Sequence, residues 1–146
     1  MVFRMRDEHF GVPIDQVQSI EKVTSFTKVP QAPDYVKGIV ELRGEVTTVV
    51  DLRHLLEIGE TEDSSETRIL IVQVEGLKMG LLVDEAKEVI DVNDDSVEDP
   101  PQMVGGVEKE YIMGVSKQDD RLLILVHLHK VLDVEQIEEM KEAVQA

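Results

Sequence analysis

From Phe3 onward the chain alternates apolar and polar positions in short bursts: Phe3 and Met5, a polar Arg6-Asp7-Glu8-His9 corner, then Phe10, Val12 and Ile14. A period of two predicts a β-hairpin with one face turned inward. Asp15 is the candidate cap of a short turn running on through Val17 and Ile20. Val36 to Leu56 reads as two further extended segments joined by a tight Arg43-Gly44 turn, with Asp51 as candidate cap of a short helix that Gly59 can end.

Both patterns are written twice. Ile112 to Leu132 repeats Val36 to Leu56 at an offset of 76 positions, matching Val36 with Ile112, Gly38 with Gly114, Val49 with Leu125, Leu52 with Leu128 and Leu56 with Leu132. The opening hairpin recurs at an offset of 69, matching Phe3 with Val72, Met5 with Val74, Gly11 with Gly80 and Asp15 with Asp84, with Glu75-Gly76 at the turn. Two blocks repeated in the same order indicate a duplication; two copies are too few for a solenoid. Each half supplies about five extended segments, enough for a small barrel that hides its own edges. The expected architecture is therefore all-β (mainly β): one domain over residues 1–146, with two five-stranded barrels at roughly 11–66 and 67–134 and an N-terminal strand able to join either. Halves of roughly 70 residues bury little alone, so a core shared between them is expected.

The connectors differ. Thr27 to Pro33 carries two prolines that impose a stiff, extended path. Its counterpart, Asp91 to Gln102, is longer and acidic and runs into Gly105-Gly106, so it ranks next to Glu57 to Glu66 as a mobile loop. The runs Ile69 to Val72 and Leu122 to Val126 do not alternate, which predicts cover on both faces and a place where the halves meet. Asp133 with Gln136 resembles a capping box for a C-terminal helix over 134–145, whose Val134, Ile137, Met140 and Val144 share a face.

Composition narrows the function. The 146 residues are 42% hydrophobic but only 3% aromatic, so the core is aliphatic, and its β-branched share favours strands. A formal charge of −16 repels phosphate backbones and anionic lipid, which excludes nucleic acid and direct membrane insertion and favours basic or apolar partners. There is no cysteine, hence no disulfide framework or thiol chemistry. No apolar run has the length of a signal peptide or a membrane span, so a soluble, cytoplasmic protein is expected.

Catalytic signals are missing. No glycine-rich phosphate cradle and no nucleophile elbow is present, and no cofactor is implied. His127 and His129 alternate on a segment read as extended and could share one face for a metal, but neither cysteine nor a third ligand at diagnostic spacing accompanies them. A small metal-dependent hydrolase is thus the weaker alternative to a binding protein. Comparison of the copies says more. Gly38 and Gly114 recur, pointing to a backbone need such as a bulge or close approach. The hairpin tips do not recur: Arg43-Gly44 in one copy stands where the other has Asp119-Asp120. The hairpin does not require Arg43, so its guanidinium is a candidate fork for a partner's carboxylate, whereas Gly44 suits a turn needing positive φ.

These residues resemble the CheW family of chemotaxis coupling proteins. The likeness rests on Val29-Pro30-x-x-Pro33-x-x-Val36-x-Gly38-Ile39-x-x-Leu42-Arg43-Gly44, then Val49-Val50-Asp51-Leu52-Arg53, with Phe10-Gly11-x-Pro13-Ile14 and Gly80 to Asp84 in support, and spans about Phe3 to Leu132. It implies two five-stranded SH3-like barrels over a common core and a non-catalytic adaptor. Such an adaptor holds the regulatory domain of the histidine kinase CheA against the cytoplasmic tips of methyl-accepting chemoreceptors, in membrane-associated arrays. By the same likeness a receptor helical hairpin lies between the barrels near Val17, Val36, Gly38 and Arg43, and Gly44 and Gly114 belong to the kinase side. The same domain also occurs inside CheA and in CheV-type adaptors, so an excised regulatory domain is an alternative. Glu41 stands where the family commonly has Asn, and Thr48 where it has Pro.

Overall fold

A computed structural model of the chain describes residues 1–132; the C-terminal helix expected over 134–145, with its Asp133 cap, lies outside them. In chain order the elements are β1 (Val2–Met5), β2 (Glu8–Gly11), β3 (Val17–Lys22), β4 (Val36–Leu42), β5 (Glu45–Asp51), α1 (Leu52–Leu55), β6 (Arg68–Val74) and β7 (Leu77–Val83). There follow β8 (Glu85–Ala86), β9 (Val97–Glu98), β10 (Met103–Val104), β11 (Val107–Glu108), β12 (Ile112–Gln118), β13 (Arg121–Val126) and α2 (Leu128–Val131).

The strands form a five-stranded sheet in the order β3-β6-β7-β5-β4 and a six-stranded one in the order β8-β1-β2-β13-β12-β9, with β10-β11 apart as a ribbon. The fold is the mainly β, two-sheet one expected, but the sheets do not divide at residues 66 and 67. Each takes a hairpin from the other half: β6-β7 joins β3, β4 and β5, and β1-β2 joins β12 and β13. The reason is parallel pairing. β5 runs parallel to β7 through Val49↔Gly80 and Val50↔Leu81, and β13 parallel to β2 through Ile124↔Phe10 and Leu125↔Gly11. A tight turn cannot connect parallel neighbours, so each copy of the repeat supplies the parallel partner of the other.

The duplication is visible down to single hydrogen bonds. Asp51 N–H donates to the Tyr35 carbonyl at 2.7 Å, and His127 N–H, 76 positions on, to that of Tyr111 at 2.9 Å. Gly38 and Gly114 both follow a register shift in their hairpins, the bulge anticipated from their recurrence. Each also lies beneath a crossing segment. A Cβ at Gly38 would meet the Thr27 carbonyl oxygen at 2.6 Å, and one at Gly114 the Glu98 carbonyl oxygen at 3.0 Å. Thr27 bridges Ile39 as Glu98 pairs with Val115, so the glycines admit the strand that closes each sheet.

The main core lies between the sheets and contains Phe3, Phe10, Leu70, Val72, Leu81, Ile124 and Val126, with the rings of Phe3 and Phe10 stacked at 6.0 Å. Only one face of each non-alternating run points there. Ile69 and Ile71 belong to a second cluster with Val40, Val49 and Leu82, covered by Val23 and Phe26. The expectation that these runs lie where the halves meet therefore holds for alternate residues only, because a strand has two faces.

Two local expectations are revised. Asp51 does cap α1, accepting from Arg53 N–H at 3.1 Å, but the helix is a single turn closed by Leu56 N–H to the Leu52 carbonyl at 3.0 Å, before Gly59. Asp15 lies within a 3₁₀ turn, Ile14–Gln16, with no side-chain cap, and the chain then enters β3 because Val17 to Lys22 finds a partner in β6.

Candidate functional site

The outer face of the six-stranded sheet carries an apolar groove of about 340 Å³. Its floor is Leu123 and Leu125 of β13, the face of that strand turned away from the core. Gly11 of β2 keeps the floor low, since a Cβ there would stand 3.3 Å from Leu125 Cδ2. One wall is Ile14 on the 3₁₀ turn, another Met113 of β12, and the segment bearing Ile90 and Val92 forms a third. Ile14 is 50% and Met113 52% exposed. Apolar groups in this number on a water-facing groove are the mark of an interaction surface. Asp94 stands on the rim.

The six residues singled out from the sequence do not line this groove. Val17 and Val36 are half-buried against the main core, Val17 paired with Val72 and Val36 with Val50. Gly38 and Gly114 are buried under the closing strands. Arg43 and Gly44 form the β4-β5 tip with φ of 52° and 80°, the twist of a type I′ turn, and open space surrounds Gly44. Arg43 Nη2 reaches Glu21 Oε1 of β3 at 3.2 Å, so in the free chain the fork is turned toward an internal carboxylate. Nearby Val46 is an exposed aliphatic residue on the same tip.

Sequence reasoning missed Met113, Ile90 and Val92, and it read Ile14 as core. Their apolar character continues the strand alternation, which cannot tell a buried face from a groove wall. The available signal was Pro13 ahead of Ile14, which interrupts the strand and turns the side chain outward.

A polar seam fixes the sheets relative to each other. Asp84 at the end of β7 accepts from the Arg6 N–H of the β1-β2 turn at 2.6 Å and pairs with Arg53 Nη1 of α1 at 3.2 Å. Asp51 accepts from Thr61 N–H at 2.9 Å and from its hydroxyl at 2.7 Å. Arg4 of β1 donates to Glu85 at 3.0 Å, a bond that, with Lys87 beside it, holds the Glu85 carboxyl below its ordinary value. At the end of β11 a hydrogen bond with Glu110 raises the exposed Glu108 carboxyl, with slight desolvation and the charges of Glu110 and Glu57 adding to it.

His127 and His129 do not share an extended segment. β13 ends at Val126 and the chain turns into α2, placing the rings 6.0 Å apart and tilted, with His129 Nδ1 against Glu75 at 2.9 Å. Among the described residues no group of three His, Asp or Glu is placed to hold a metal ion, and no helix is long and apolar enough to cross a membrane.

Comparison with known proteins agrees with this fold. A family model described as a CheW-like domain matches residues 1–136. The chain is 38% identical to the chemotaxis protein CheW of Bacillus subtilis (strain 168) over 138 residues, covering 92% of this chain and 86% of that protein. To the chemotaxis protein CheW of Treponema pallidum it is 33% identical over 144 residues, covering 96% and 85%. Among solved structures, the scaffolding protein TtCheW of Thermoanaerobacter tengcongensis superposes with a TM-score of 0.82 at 36% identity, covering 92% of this chain and 87% of that one.

Proposed function

The chain belongs to the CheW-like family, whose members are non-enzymatic scaffolds of chemotaxis, and we propose that it couples methyl-accepting chemoreceptors to the histidine kinase CheA within receptor arrays. The observation that carries this reading is the presence of two adhesive surfaces, one on each sheet. The groove bounded by Ile14 and Met113 is open, aliphatic and acid-rimmed, suited to an amphipathic helix with basic flanks. The β4-β5 tip, with Arg43, Gly44 and Val46, belongs to the other sheet. Transient signalling contacts bury less than about 1,200 Å², so a chain of this size can carry both at once.

In this reading the receptor tip contacts Val17, Val36 and Arg43 as well as the groove, while the CheA regulatory domain takes the surface at Gly44 and Gly114. Gly38 and Gly114 are buried, so their part is to admit the closing strands that shape those surfaces. The test is direct: the purified chain is mixed with a receptor tip and, separately, with a CheA regulatory domain. Association with both is expected, and with both together in a ternary complex. Failure to bind either at high concentration would remove the coupling reading.

A further inference from the structure

The β10-β11 hairpin is a two-stranded ribbon paired through Met103↔Glu108 and Val104↔Val107. A ribbon this short is not stable alone, so its orientation is set by what it leans on. One support is Val107, fully buried in the core between the sheets. Its cross-strand partner Val104 packs half-buried against the same core, so the ribbon is held along one rung of its ladder, about which it can still tilt.

The second support is Arg6, whose Nη2 donates to the Gly105 carbonyl at the hairpin tip. Both tip glycines have positive φ, 56° and 82°. A Cβ on Gly106 would stand 3.2 Å from Arg6 Nη2 and 3.2 Å from Ile58 Cγ2, so glycine is what lets the tip come down onto the guanidinium. Arg6 itself sits on a firm platform. Its N–H is held by Asp84 at 2.6 Å, its carbonyl accepts from Arg4 Nη1 at 2.6 Å, and Asp84 is paired with Arg53. The clasp is nonetheless marginal, because Arg6 Nε is buried with no acceptor among the described residues, and an orphaned donor offsets part of what the Gly105 bond contributes.

We propose that Arg6 is a positioning residue: it clasps the tip of the β10-β11 hairpin and so sets the direction in which Met103 and the Glu108-Glu110 pair face outward. When the clasp opens, the hairpin tilts about the Val104-Val107 rung while the two sheets stay in place. This goes beyond the coupling reading and stands or falls separately from it.

Native-state amide exchange on the whole chain tests the proposal. Arg6→Gly suits the φ of 57° at this position and deletes the guanidinium while keeping the N–H that Asp84 accepts. The Lys109 amide, bonded to the Gln102 carbonyl at 2.8 Å, reports on the hairpin base. It is expected to exchange about tenfold faster in Arg6→Gly, with β6-β7 amides and the urea midpoint unchanged. Arg6→Lys, which keeps a cationic donor, is expected to restore most of the protection, and Arg6→Met, which keeps the stem alone, is not. Gly106→Ala approaches the clasp from the other side and should reproduce the loss. Unchanged Lys109 exchange in both Arg6→Gly and Gly106→Ala overturns the proposal, as does acceleration of all amides together, which would make Arg6 an ordinary contributor to global stability.

Discussion

Arg43 and Glu21 meet at 3.2 Å although they belong to opposite edges of the five-stranded sheet, Glu21 on β3 and Arg43 at the end of β4. The sheet therefore curls until its edges approach, and an ion pair marks the seam. Arg43 is 78% exposed in its side chain. Such a pair contributes at most about 1 kcal/mol, so a partner carboxylate can take the place of Glu21 at small cost.

Reversal of this charge separates fold from binding. Arg43→Glu is expected to weaken association with a receptor tip while lowering unfolding stability by less than about 1 kcal/mol. Combining it with Glu21→Arg should recover the stability but not the binding. Urea denaturation and a titration with the receptor tip read the two effects; unfolding of Arg43→Glu at ordinary temperature would instead make the residue structural.

The glycines should rank by what lies above them. Gly38→Ala places a Cβ 2.6 Å from a backbone oxygen at a φ of 143° and is expected to cost about 2–4 kcal/mol. Gly44→Ala meets open space and should cost only the left-handed backbone term, about 1 kcal/mol. Chemical denaturation of the two variants side by side checks the order.

At the groove the expected separation is the reverse of a core mutation. Ile14→Asp or Met113→Asp should shift stability by less than about 0.5 kcal/mol, as exposed sites do, yet abolish receptor-tip binding and leave kinase-domain binding intact. Loss of both associations together would show that the groove is not specific to one partner.

The pH dependence has two opposite limbs. Glu85 is held below its ordinary value by Arg4 and Lys87, so its contribution is full above the usual glutamate range and lost as pH falls through the depressed value. Glu108 is raised by Glu110, so its contribution is present below the usual range and lost as pH rises through the raised value. Glu85→Gln should flatten the acid limb of the urea midpoint, and Glu110→Gln should move Glu108 down toward the ordinary range in a carboxyl NMR titration.

How much of this was legible beforehand depends on the range of the interaction concerned. The hairpins, their turns, the Asp51 cap and the bulge at Gly38 and Gly114 are local or repeated, and alternation and duplication carry them. The family motifs likewise lie in contiguous strands. The groove was not legible, because Ile14, Ile90 and Met113 come from three separate parts of the chain and look like core residues in each. Nor was the fate of Arg43, whose partner Glu21 is brought to it by sheet curvature.

The sequence by itself determined a duplicated, aliphatic, mainly β chain with its hairpin units, its acidic surface and its family. The tertiary structure decided which hairpin joins which sheet. Parallel pairing of β5 with β7 and of β2 with β13 demands a strand from the other copy, and nothing within one copy records that choice. The same exchange decided that Leu123 and Leu125 floor a groove while Ile124 and Val126 fill the core, since a strand's pattern says that it has two faces but not what covers each.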